Sequence, residues 1–281
     1  METVTTAVEA RAIVKKWKNE GKTVGFVPTM GYLHEGHMSL VQKAAEQNEK
    51  VVLSIFVNPM QFSPNEDLDK YPRDFDADSK LCEDNGVDLI IYPDPKEMYP
   101  EGFCSFVDMT GPTRELCGKS RPIHFRGVCT VVTKLFNIVQ PDRAYFGQKD
   151  AQQLSVIRRM VTDLNMPIEI VGCPIVREKD GLAKSSRNQY LSEEERKAAL
   201  ILSKSVFVGQ ELVKKGERNA KVVCDAIREI ITSEPLAKID YVEAVDFDTI
   251  EKIDKLQGTI LVAIAVYIGS TRLIDNFIDT V

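Results

Sequence analysis

The chain has 281 residues, of which 43% are hydrophobic and 28% are charged, a composition typical of a globular protein with a substantial core. Its formal net charge of −6 disfavours a partner with a phosphate backbone, so we expect no nucleic-acid partner. Residues 1–11 lack the basic start and apolar run of a secretory signal, and the longest apolar run, around Thr259–Ile268, is too short to cross a bilayer, so we expect a cytoplasmic protein without membrane contact.

The first two-thirds of the chain alternate between apolar runs and amphipathic patterns. The apolar runs predict strands buried on both faces, over Thr23–Pro28, Lys50–Val57, Val87–Tyr92, Arg143–Gly147 and Pro167–Val176. The amphipathic patterns predict helices over Gly36–Glu49, His124–Val139 and Asp150–Leu164. This alternation predicts an α/β fold, a Rossmann-like doubly wound parallel sheet in a domain of residues 1–176, whose ligands bind at the carboxyl ends of the strands.

The pattern changes after Val176. A polar loop, Arg177–Gln189, precedes Ser192 and Glu195, which have the spacing of a capping box and predict a helix that runs to about Lys215. The remaining predicted elements are one further helix and two strands, at Asn219–Thr232, Ile239–Asp246 and Thr259–Ile268. Residues 177–281 are therefore predicted to form a smaller C-terminal α+β lid domain.

Six cysteines occur at irregular intervals, and none forms a Cys-x-x-Cys pair. This spacing argues against a structural zinc site and predicts reduced, mostly buried thiols. They are Cys82, Cys104, Cys117, Cys129, Cys173 and Cys224.

The segment Pro28–His37, PTMGYLHEGH, joins the first predicted strand to the next helix. Its glycines, Gly31 and Gly36, allow close approach of a ligand, and a helix N-terminus favours phosphate through its backbone N–H groups and partial positive charge. His34 and His37 are spaced to lie on one face of the first helical turn, where imidazole N–H groups can bind phosphate oxygens. The segment is no Walker loop, because His37 and Met38 stand where Lys and Ser/Thr would be required, and a His-x-x-His metal site has no evident third ligand nearby in sequence.

Three further polar segments occur in similar positions. Lys184–Arg187, KSSR, combines two hydroxyls with two cations in a predicted flexible loop, as a lid over a triphosphate would. Gly147–Asp150, GQKD, follows a predicted strand and opens a helix on which Gln153 lies one turn further, while Gln152 is expected to point elsewhere. Gln61 follows another strand and suits a substrate with hydroxyls and a carboxylate. We expect the histidines, the GQKD turn and the KSSR segment to converge on one triphosphate.

Together these segments resemble those of the pantothenate synthetase family, which belongs to the HIGH-motif nucleotidyltransferases related to class I aminoacyl-tRNA synthetases. The resemblance includes PTMGYLHEGH, SIFVNPMQF, the stretch around Tyr71-Pro72-Arg73, HFRGVCTVVTKLFNIVQPDRAYFGQKDAQQ and SSRNQYLS, and it extends to Arg272–Asn276 near the end of the chain. It therefore covers essentially the whole sequence.

The resemblance implies an AMP-forming ligase, and it assigns positions to the ligands motif by motif. D-pantoate would attack the α-phosphate of Mg-ATP to give pantoyl adenylate and pyrophosphate, and β-alanine would then displace AMP to give pantothenate. By the same match, Gln61 and Gln153 bind pantoate, and Gln61 also lies near β-alanine. The nucleotide ligands implied are Met30, Gly31, Tyr32, Leu33, His34, Glu35, Gly36, His37, Gly147, Gln148, Lys149, Asp150, Val176, Lys184, Ser185, Ser186 and Arg187.

His34, Lys149 and Arg187 are implied to act in catalysis together with His37, the proton donor that the resemblance implies. A carboxylate nucleophile needs no proton removed, so we expect the imidazoles to act chiefly as donors to the phosphates. Magnesium would mainly bridge ATP phosphates, with an acidic residue of Asp74–Asp78 as a further contact, and a homodimer is expected from the resemblance. Lys184 departs from the family pattern, which usually has methionine there.

Two other functions fit parts of the sequence. A nucleotidyltransferase acting on a phosphorylated acceptor would need further cations, which Arg114, Lys119, Arg121 and Arg126 could supply. A non-catalytic nucleotide-binding module would not need a charged lid opposite two histidines. A tRNA-binding synthetase fragment is disfavoured by the acidic charge and by the short C-terminal part.

Overall fold

The computed structural model describes residues 1–64 and 66–281 and divides into two compact units. The first unit consists of Met1–Met109, Arg121–Gln148 and Val156–Pro174. The second consists of Thr110–Ser120, Lys149–Ser155 and Ile175–Val281. The predicted domain boundary after residue 176 stays a prediction.

The first unit is built on a six-stranded parallel sheet in the order β1-β4-β3-β2-β5-β6. Strands β3 and β4 follow on one side of β2 and strands β5 and β6 on the other, while β1 pairs with β4 at the edge. The sheet is therefore doubly wound, as predicted, and its direction of winding reverses between β2 and β5. The strands are β1 (Glu2–Val4), β2 (Val24–Thr29), β3 (Lys50–Ile55), β4 (Leu89–Ile91), β5 (Arg143–Gly147) and β6 (Glu169–Cys173).

Helices and short turns connect these strands. The helices are α1 (Ala7–Asn19), α2 (Glu35–Gln47), α3 (Phe75–Asp84), α4 (Pro95–Met98), α5 (Cys117–Ser120), α6 (His124–Val139) and α7 (Ala151–Asp163), of which α5 lies in the second unit and α7 has residues in both. Two 3-10 turns, Pro59–Gln61 and Gln148–Asp150, follow β3 and β5 directly.

All five strands predicted for this region are present, most with shorter ends. Their apolar runs fill the core, where Phe26, Leu53, Ile90 and Tyr145 are almost completely buried. Continuous hydrophobic runs identify such strands because helices cover both faces of a parallel sheet. The first strand and α1 lie outside the predicted set, although Thr6 and Glu9 form a capping box at the start of α1.

The second unit contains an antiparallel sheet in the order β7-β8-β9 and three helices after residue 192. Its core consists of the inner faces of these elements, including Val262, Ile264 and Ile227. The elements are α8 (Glu193–Ala198), α9 (Leu200–Lys214), α10 (Ala220–Thr232), β7 (Ala237–Asp246), β8 (Thr259–Ile268) and β9 (Thr271–Thr280).

The predicted capping box is confirmed, since Ser192 caps α8 and the Glu195 side chain accepts from the Ser192 backbone N–H. The single helix predicted from there to about Lys215 is wrong, because Ala199 separates α8 from α9. Neither glycine nor proline marks that break in the sequence. The strand β9 was also outside the prediction.

Burial of the cysteines largely follows the sequence expectation. Four are buried, while Cys117 is partly exposed and Cys104 is exposed. Burial raises the pKa of Cys82 and Cys129 to about 12 and that of Cys224 to about 11, which keeps these thiols protonated near neutral pH. Within residues 1–64 and 66–281, no helix is long and apolar enough to cross a membrane.

Candidate active site

Three predicted site segments leave the carboxyl ends of neighbouring strands in the first unit. The histidine segment follows β2, the 3-10 turn with Gln61 follows β3, and Gln148 follows β5. Strand β2 pairs with both β3 and β5, so these segments begin at one edge of the sheet, around the point where the winding reverses. Open α/β sheets bind their ligands at such points.

The histidine segment turns sharply before α2. Gly31 and Tyr32 both have positive φ, of 84° and 52°. The backbone N–H groups of Tyr32 and Leu33 donate to the two carboxylate oxygens of Asp78, over 2.7 and 2.6 Å. A Cβ on Gly31 would lie only 2.9 Å from Ile55 and 3.0 Å from Asp78, so the turn requires glycine for space as well as for conformation.

Asp78, which the sequence placed only among several carboxylates considered for magnesium, anchors this turn. Its side chain is buried, and burial raises the pKa of its carboxyl above the ordinary value, although the Leu33 and Tyr32 N–H groups act in the opposite direction. Both of its oxygens are engaged by the loop backbone. Asp78 therefore fixes the path of the chain into His34.

His34 and His37 cap the start of α2 with their own side chains. The Nδ1 atom of His34 accepts from the Gly36 N–H over 3.1 Å, and the Nδ1 atom of His37 accepts from the His34 N–H over 3.2 Å. The two rings lie with their centroids 4.1 Å apart. This is the reciprocal arrangement of a capping box, formed by imidazoles in place of a hydroxyl and a carboxylate.

The capping bonds determine where the imidazole protons lie. A backbone N–H can only donate, so each Nδ1 contributes a lone pair and the proton of the neutral ring is on Nε2. His124 differs from both, because its Nδ1 lies 3.0 Å from the Gln61 carbonyl oxygen, which can only accept, so its Nδ1 carries a proton. The N–H groups of Gly36, His37 and Met38 all donate within the helix start.

Gln61 is held in the same unit by the buried side chain of Asn58. The Asn58 amide donates to Gln61 Oε1 over 3.0 Å and to the Gly127 carbonyl over 3.1 Å, while Tyr99 donates to Asn58 Oδ1 over 2.7 Å. Gln61 Nε2 lies 3.1 Å from the Met30 sulfur. The structure thus brings the Gln61 turn into direct contact with the histidine segment.

Helix α6 supports this turn from the other side. A Cβ on Gly127 would lie 2.4 Å from the Met60 carbonyl oxygen, so only glycine permits so close an approach of helix and turn. Arg121 donates to the Gln61 carbonyl over 3.3 Å and forms two short hydrogen bonds with Glu66. Burial disfavours the ionised form of Glu66, but hydrogen bonds and charge from Arg121 outweigh it and lower the pKa of Glu66.

In the second unit, Lys149 is held through its backbone. The Asn276 side-chain amide donates to the Lys149 carbonyl over 2.9 Å. The Lys149 ammonium lies 4.0 Å from the carboxylate of Asp150, which is exposed. On the following helix, Gln152 is buried and bonded to Pro112, Glu115 and Cys117, whereas Gln153 is only partly buried. Gln152 therefore points towards residues 112–117, and the predicted ligand role of Gln153 stays a prediction.

The polar loop predicted at Arg177–Gln189 contains a short hairpin, closed by one antiparallel bridge, and a 3-10 turn, and its predicted flexibility stays a prediction. Lys184 N–H donates to the Val176 carbonyl over 2.9 Å, so these two predicted ATP ligands lie side by side. Arg177 and Ala183 form an antiparallel bridge, and Gly181 turns the hairpin with a φ of 97°. The 3-10 turn Ser186–Tyr190 is capped by Ser185, whose hydroxyl accepts from the Arg187 N–H.

Ion pairs anchor this hairpin. Arg177 makes two hydrogen bonds with the buried carboxylate of Asp275, over 2.7 and 2.9 Å. Arg196 of α8 bonds to Glu178 and Asp180, and Glu178 also accepts from the Asn188 amide over 3.1 Å. None of these partners is near its counterpart in sequence, so the pattern of charges alone gave no signal for the pairing.

The predicted residues therefore form two sets, one in each unit. Residues 30–37, Gln61, Gly147 and Gln148 belong to the first, and Lys149, Asp150, Gln153, Val176 and residues 184–187 to the second. Their convergence on one triphosphate stays a prediction. Of the cations considered for a phosphorylated acceptor, Arg121 pairs with Glu66 and Arg126 lies 4.0 Å from the Phe106 ring centre, so no observation favours that alternative.

Comparison with known proteins identifies close relatives of the chain. The sequence model of the family described as pantoate-beta-alanine ligase matches residues 2–278. A pantothenate synthetase of Ruminiclostridium cellulolyticum is 64% identical over 277 residues, which cover 99% of this chain and 98% of that protein.

Solved structures give the same result for the fold. The crystal structure of pantothenate synthetase from Thermus thermophilus matches with a TM-score of 0.94 and 46% identity, covering 99% of both chains. That of a pantoate-beta-alanine ligase from Francisella tularensis, complexed with beta-gamma ATP and beta-alanine, matches with a TM-score of 0.80 and 34% identity, covering 99% of this chain and 97% of that one.

Proposed function

The chain belongs to the pantoate–β-alanine ligase family, and from this premise we propose that His34 and His37 donate hydrogen bonds to the phosphates of bound ATP. The protein is an enzyme that condenses D-pantoate with β-alanine in an ATP-dependent reaction through a pantoyl adenylate, releasing AMP and pyrophosphate. The observation that carries the proposal is the reciprocal imidazole cap, which commits both Nδ1 atoms to the backbone and leaves the proton of each ring on Nε2.

The first half-reaction needs charge stabilisation more than proton transfer. The pantoate carboxylate attacks the α-phosphorus, and the bond from that phosphorus to the bridging oxygen of pyrophosphate breaks. Negative charge builds on the phosphate oxygens, and two fixed N–H donors beside a helix N-terminus stabilise that charge without reorganisation. His37 can also release its Nε2 proton to a departing oxygen, which would make it the proton donor.

Lys149 and Arg187 carry the positive charge in the second set of residues. We assign them to the phosphates of ATP and to the departing pyrophosphate, since both are cations on backbone segments fixed by hydrogen bonds. The remaining residues assigned to ATP are Met30, Gly31, Tyr32, Leu33, Glu35, Gly36, Gly147, Gln148, Asp150, Val176, Lys184, Ser185 and Ser186.

Gln61 and Gln153 are the proposed pantoate ligands. The Asn58 amide occupies Gln61 Oε1, which directs the Gln61 NH₂ group towards the Met30 sulfur and thus towards the histidine segment. A neutral donor in that position can bind the pantoate carboxylate without lowering its nucleophilicity as strongly as a cation would. Gln61 is also assigned to β-alanine, whose amine attacks the acyl carbon of the adenylate and displaces AMP.

Isotope exchange of pyrophosphate into ATP tests this assignment, because it reports the first half-reaction alone. Exchange should depend strictly on pantoate, and His37→Ala should lower its kcat/KM by roughly 10²- to 10³-fold. Exchange that ignores pantoate, or a His37→Ala variant with wild-type exchange, would contradict the proposal.

His34→Asn provides a matched control for folding. Asparagine is a good N-cap residue, so this variant should keep the start of α2 and the thermal stability of the protein. It lacks the Nε2–H donor, and its exchange rate should fall nearly as far as that of His34→Ala. A His34→Asn variant with full activity would show that His34 only caps the helix.

Magnesium is proposed as the ion that accompanies ATP. Among residues 1–64 and 66–281, no group of three or more His, Cys, Asp or Glu side chains is arranged to hold a metal. We propose that the ion is bound mainly by phosphate oxygens and water, with a carboxylate of Asp74–Asp78 as a further contact. Removing Mg²⁺ with excess EDTA should abolish exchange without changing the thermal stability of the protein in the absence of ATP.

A homodimer in the cytoplasm is proposed from the family resemblance. Light scattering of the purified protein should give about twice the chain mass of 31.6 kDa. Fractionation of the source cells should recover the activity in the cytosolic fraction.

A further inference from the structure

The family-like segment Arg272–Asn276 lies on β9, and the assignments above give it no role. Two of its residues, Asp275 and Asn276, are polar and nearly completely buried. Their side chains leave successive positions of a strand and therefore point to opposite faces of the sheet. Asn276 contacts Lys149, which is assigned to ATP, and Asp275 contacts Arg177, at the base of the hairpin that carries Lys184.

On one face, Asn276 holds the Gln148–Asp150 turn. Its amide donates to the Lys149 carbonyl over 2.9 Å. The contact joins residues 127 positions apart in sequence and fixes the Lys149 backbone to β9. The position of the Lys149 backbone determines what its ammonium group can reach.

On the other face, Asp275 holds the base of the hairpin. Both of its oxygens accept from Arg177, and Oδ1 also accepts from the Asn276 N–H over 2.8 Å. Arg177 donates in addition to the Gly181 carbonyl and lies 4.8 Å from the ring centre of Phe207. The hairpin that carries Lys184 and leads to Arg187 is thus attached to β9 through one guanidinium.

We propose that Asp275 and Asn276 are positioning residues. From one strand, β9, they fix where Lys149 and the Lys184–Arg187 segment lie. This inference rests on the proposed assignment of Lys149 and Arg187 to ATP. The two segments are attached to successive residues of one strand, and misplacement by about 1 Å is enough to reduce catalysis strongly. A side chain that merely stabilised the unit would affect activity irrespective of Lys149.

A double-mutant cycle on Asn276 and Lys149 distinguishes these roles. Asn276→Ala should lower kcat/KM for ATP in pyrophosphate exchange by roughly tenfold or more in the wild-type background. In the Lys149→Ala background the same change should have less than about a twofold effect, because the group that Asn276 positions is already absent. An equal fold-change in kcat/KM on Asn276→Ala in both backgrounds would overturn the positioning role.

The same cycle with Asp275→Asn and Arg187→Ala tests the hairpin anchor. Asparagine keeps the size of the side chain but removes the charge that Arg177 pairs with. We expect a rise in the KM for ATP that is much smaller when Arg187 is absent. Independent effects of Asp275→Asn and Arg187→Ala would contradict the anchor.

Asn219→Ala is the matched control for loss of stability. Asn219 is exposed and caps α10 through hydrogen bonds to Lys221 and Val222, so its loss should lower the melting temperature without changing the KM for ATP. If Asn276→Ala unfolds, Asn276→Asp keeps the shape and replaces the donor with an acceptor, and the cycle is repeated with it.

The outcomes also separate the inference from the proposed function. A Lys149→Ala variant with wild-type exchange would refute the assignment of Lys149 to ATP, and the inference with it. Impaired Lys149→Ala together with an unimpaired Asn276→Ala would refute the inference alone.

Discussion

The histidine segment of the first unit and the Lys184–Arg187 segment of the second are held by different kinds of interaction. In the first, Asp78 accepts from backbone N–H groups, and the Asn58 amide fixes Gln61. In the second, guanidinium–carboxylate pairs such as Arg177 with Asp275 anchor the hairpin that leads to the Lys184–Arg187 segment. Amide networks depend on close packing and on the protonation of the acceptor, whereas partly exposed ion pairs depend on salt. The two units should therefore fail under different perturbations.

Close packing is tested by glycine substitutions, which should give the largest effect. Gly127→Ala places a methyl group against the Met60 backbone and should lower the free energy of unfolding by about 2–3 kcal/mol. Because the Gln61 turn must shift, the KM for pantoate should rise as well. Urea denaturation and steady-state kinetics measure the two effects.

Gly269→Ala is the corresponding change in the second unit. Its new methyl group would meet the end of the flexible Glu195 side chain, which also accepts from the Ser192 N–H, so the cost is that of a positive φ of 57° and part of the α8 cap, about 1–2 kcal/mol. If Gly269→Ala were as destabilising as Gly127→Ala, the contrast between close packing in the first unit and ion pairing in the second would be wrong.

Asp78→Asn should have the next largest effect. An asparagine side chain offers one acceptor where the Tyr32 and Leu33 N–H groups need two, so the turn before His34 should shift. We expect kcat/KM for ATP to fall roughly tenfold. The serine-bearing 3-10 turn of the second unit should be unaffected, which limited proteolysis at that turn would check.

The burial of Asp78 also predicts how the stability of wild type relative to Asp78→Asn changes with pH. Burial raises the pKa of Asp78 in the folded protein, so folding favours its protonated form. The stabilising contribution is fully present below the ordinary Asp pKa of about 3.9 and is lost as pH rises through the raised folded value. The stability of wild type relative to Asp78→Asn should therefore decline from about pH 4 towards neutrality. A difference that grows with pH would contradict the direction of the shift.

The smallest effect is expected from an ion pair of the second unit. Arg196→Gln removes the bonds to Glu178 and Asp180, and the KM for ATP should rise roughly two- to threefold at low salt. At about 0.5 M KCl the ratio of variant to wild type should approach one, because salt screens the pairs in the wild type. Arg143→Gln, which breaks an exposed pair with Glu169 in the first unit, should leave this ratio unchanged with salt.

Much of the first unit was predictable from sequence, and the reason is physical. Strands buried on both faces need continuous apolar residues, as in Lys50–Ile55 and Arg143–Gly147, so a local pattern identifies them. The strand β9 gave a weaker signal, because buried polar residues at Asp275 and Asn276 interrupt its alternation. These two side chains bond to Arg177 and Lys149, which are far away in sequence, so no local pattern explains why they are polar.

The site also has features that the sequence indicates and features that only the structure identifies. Glycines and histidines of the segment after β2 mark a ligand-binding turn by their spacing, but nothing local indicates that Asp78 holds the turn or that Arg177 pairs with Asp275. The reciprocal histidine cap was also unforeseen, since imidazoles replace the usual capping residues. Anchors formed by tertiary contacts need the structure to be identified.

The role of the two imidazoles as Nε2–H donors is tested most directly by long-range ¹⁵N–¹H NMR of the three histidine rings, recorded at about pH 8.5 so that neutral tautomers dominate. We predict protonated Nε2 for His34 and His37 and protonated Nδ1 for His124, with ATP shifting the Nε2 resonances of the first two. Protonated Nδ1 in His34 or His37, or Nε2 resonances indifferent to ATP, would contradict that role.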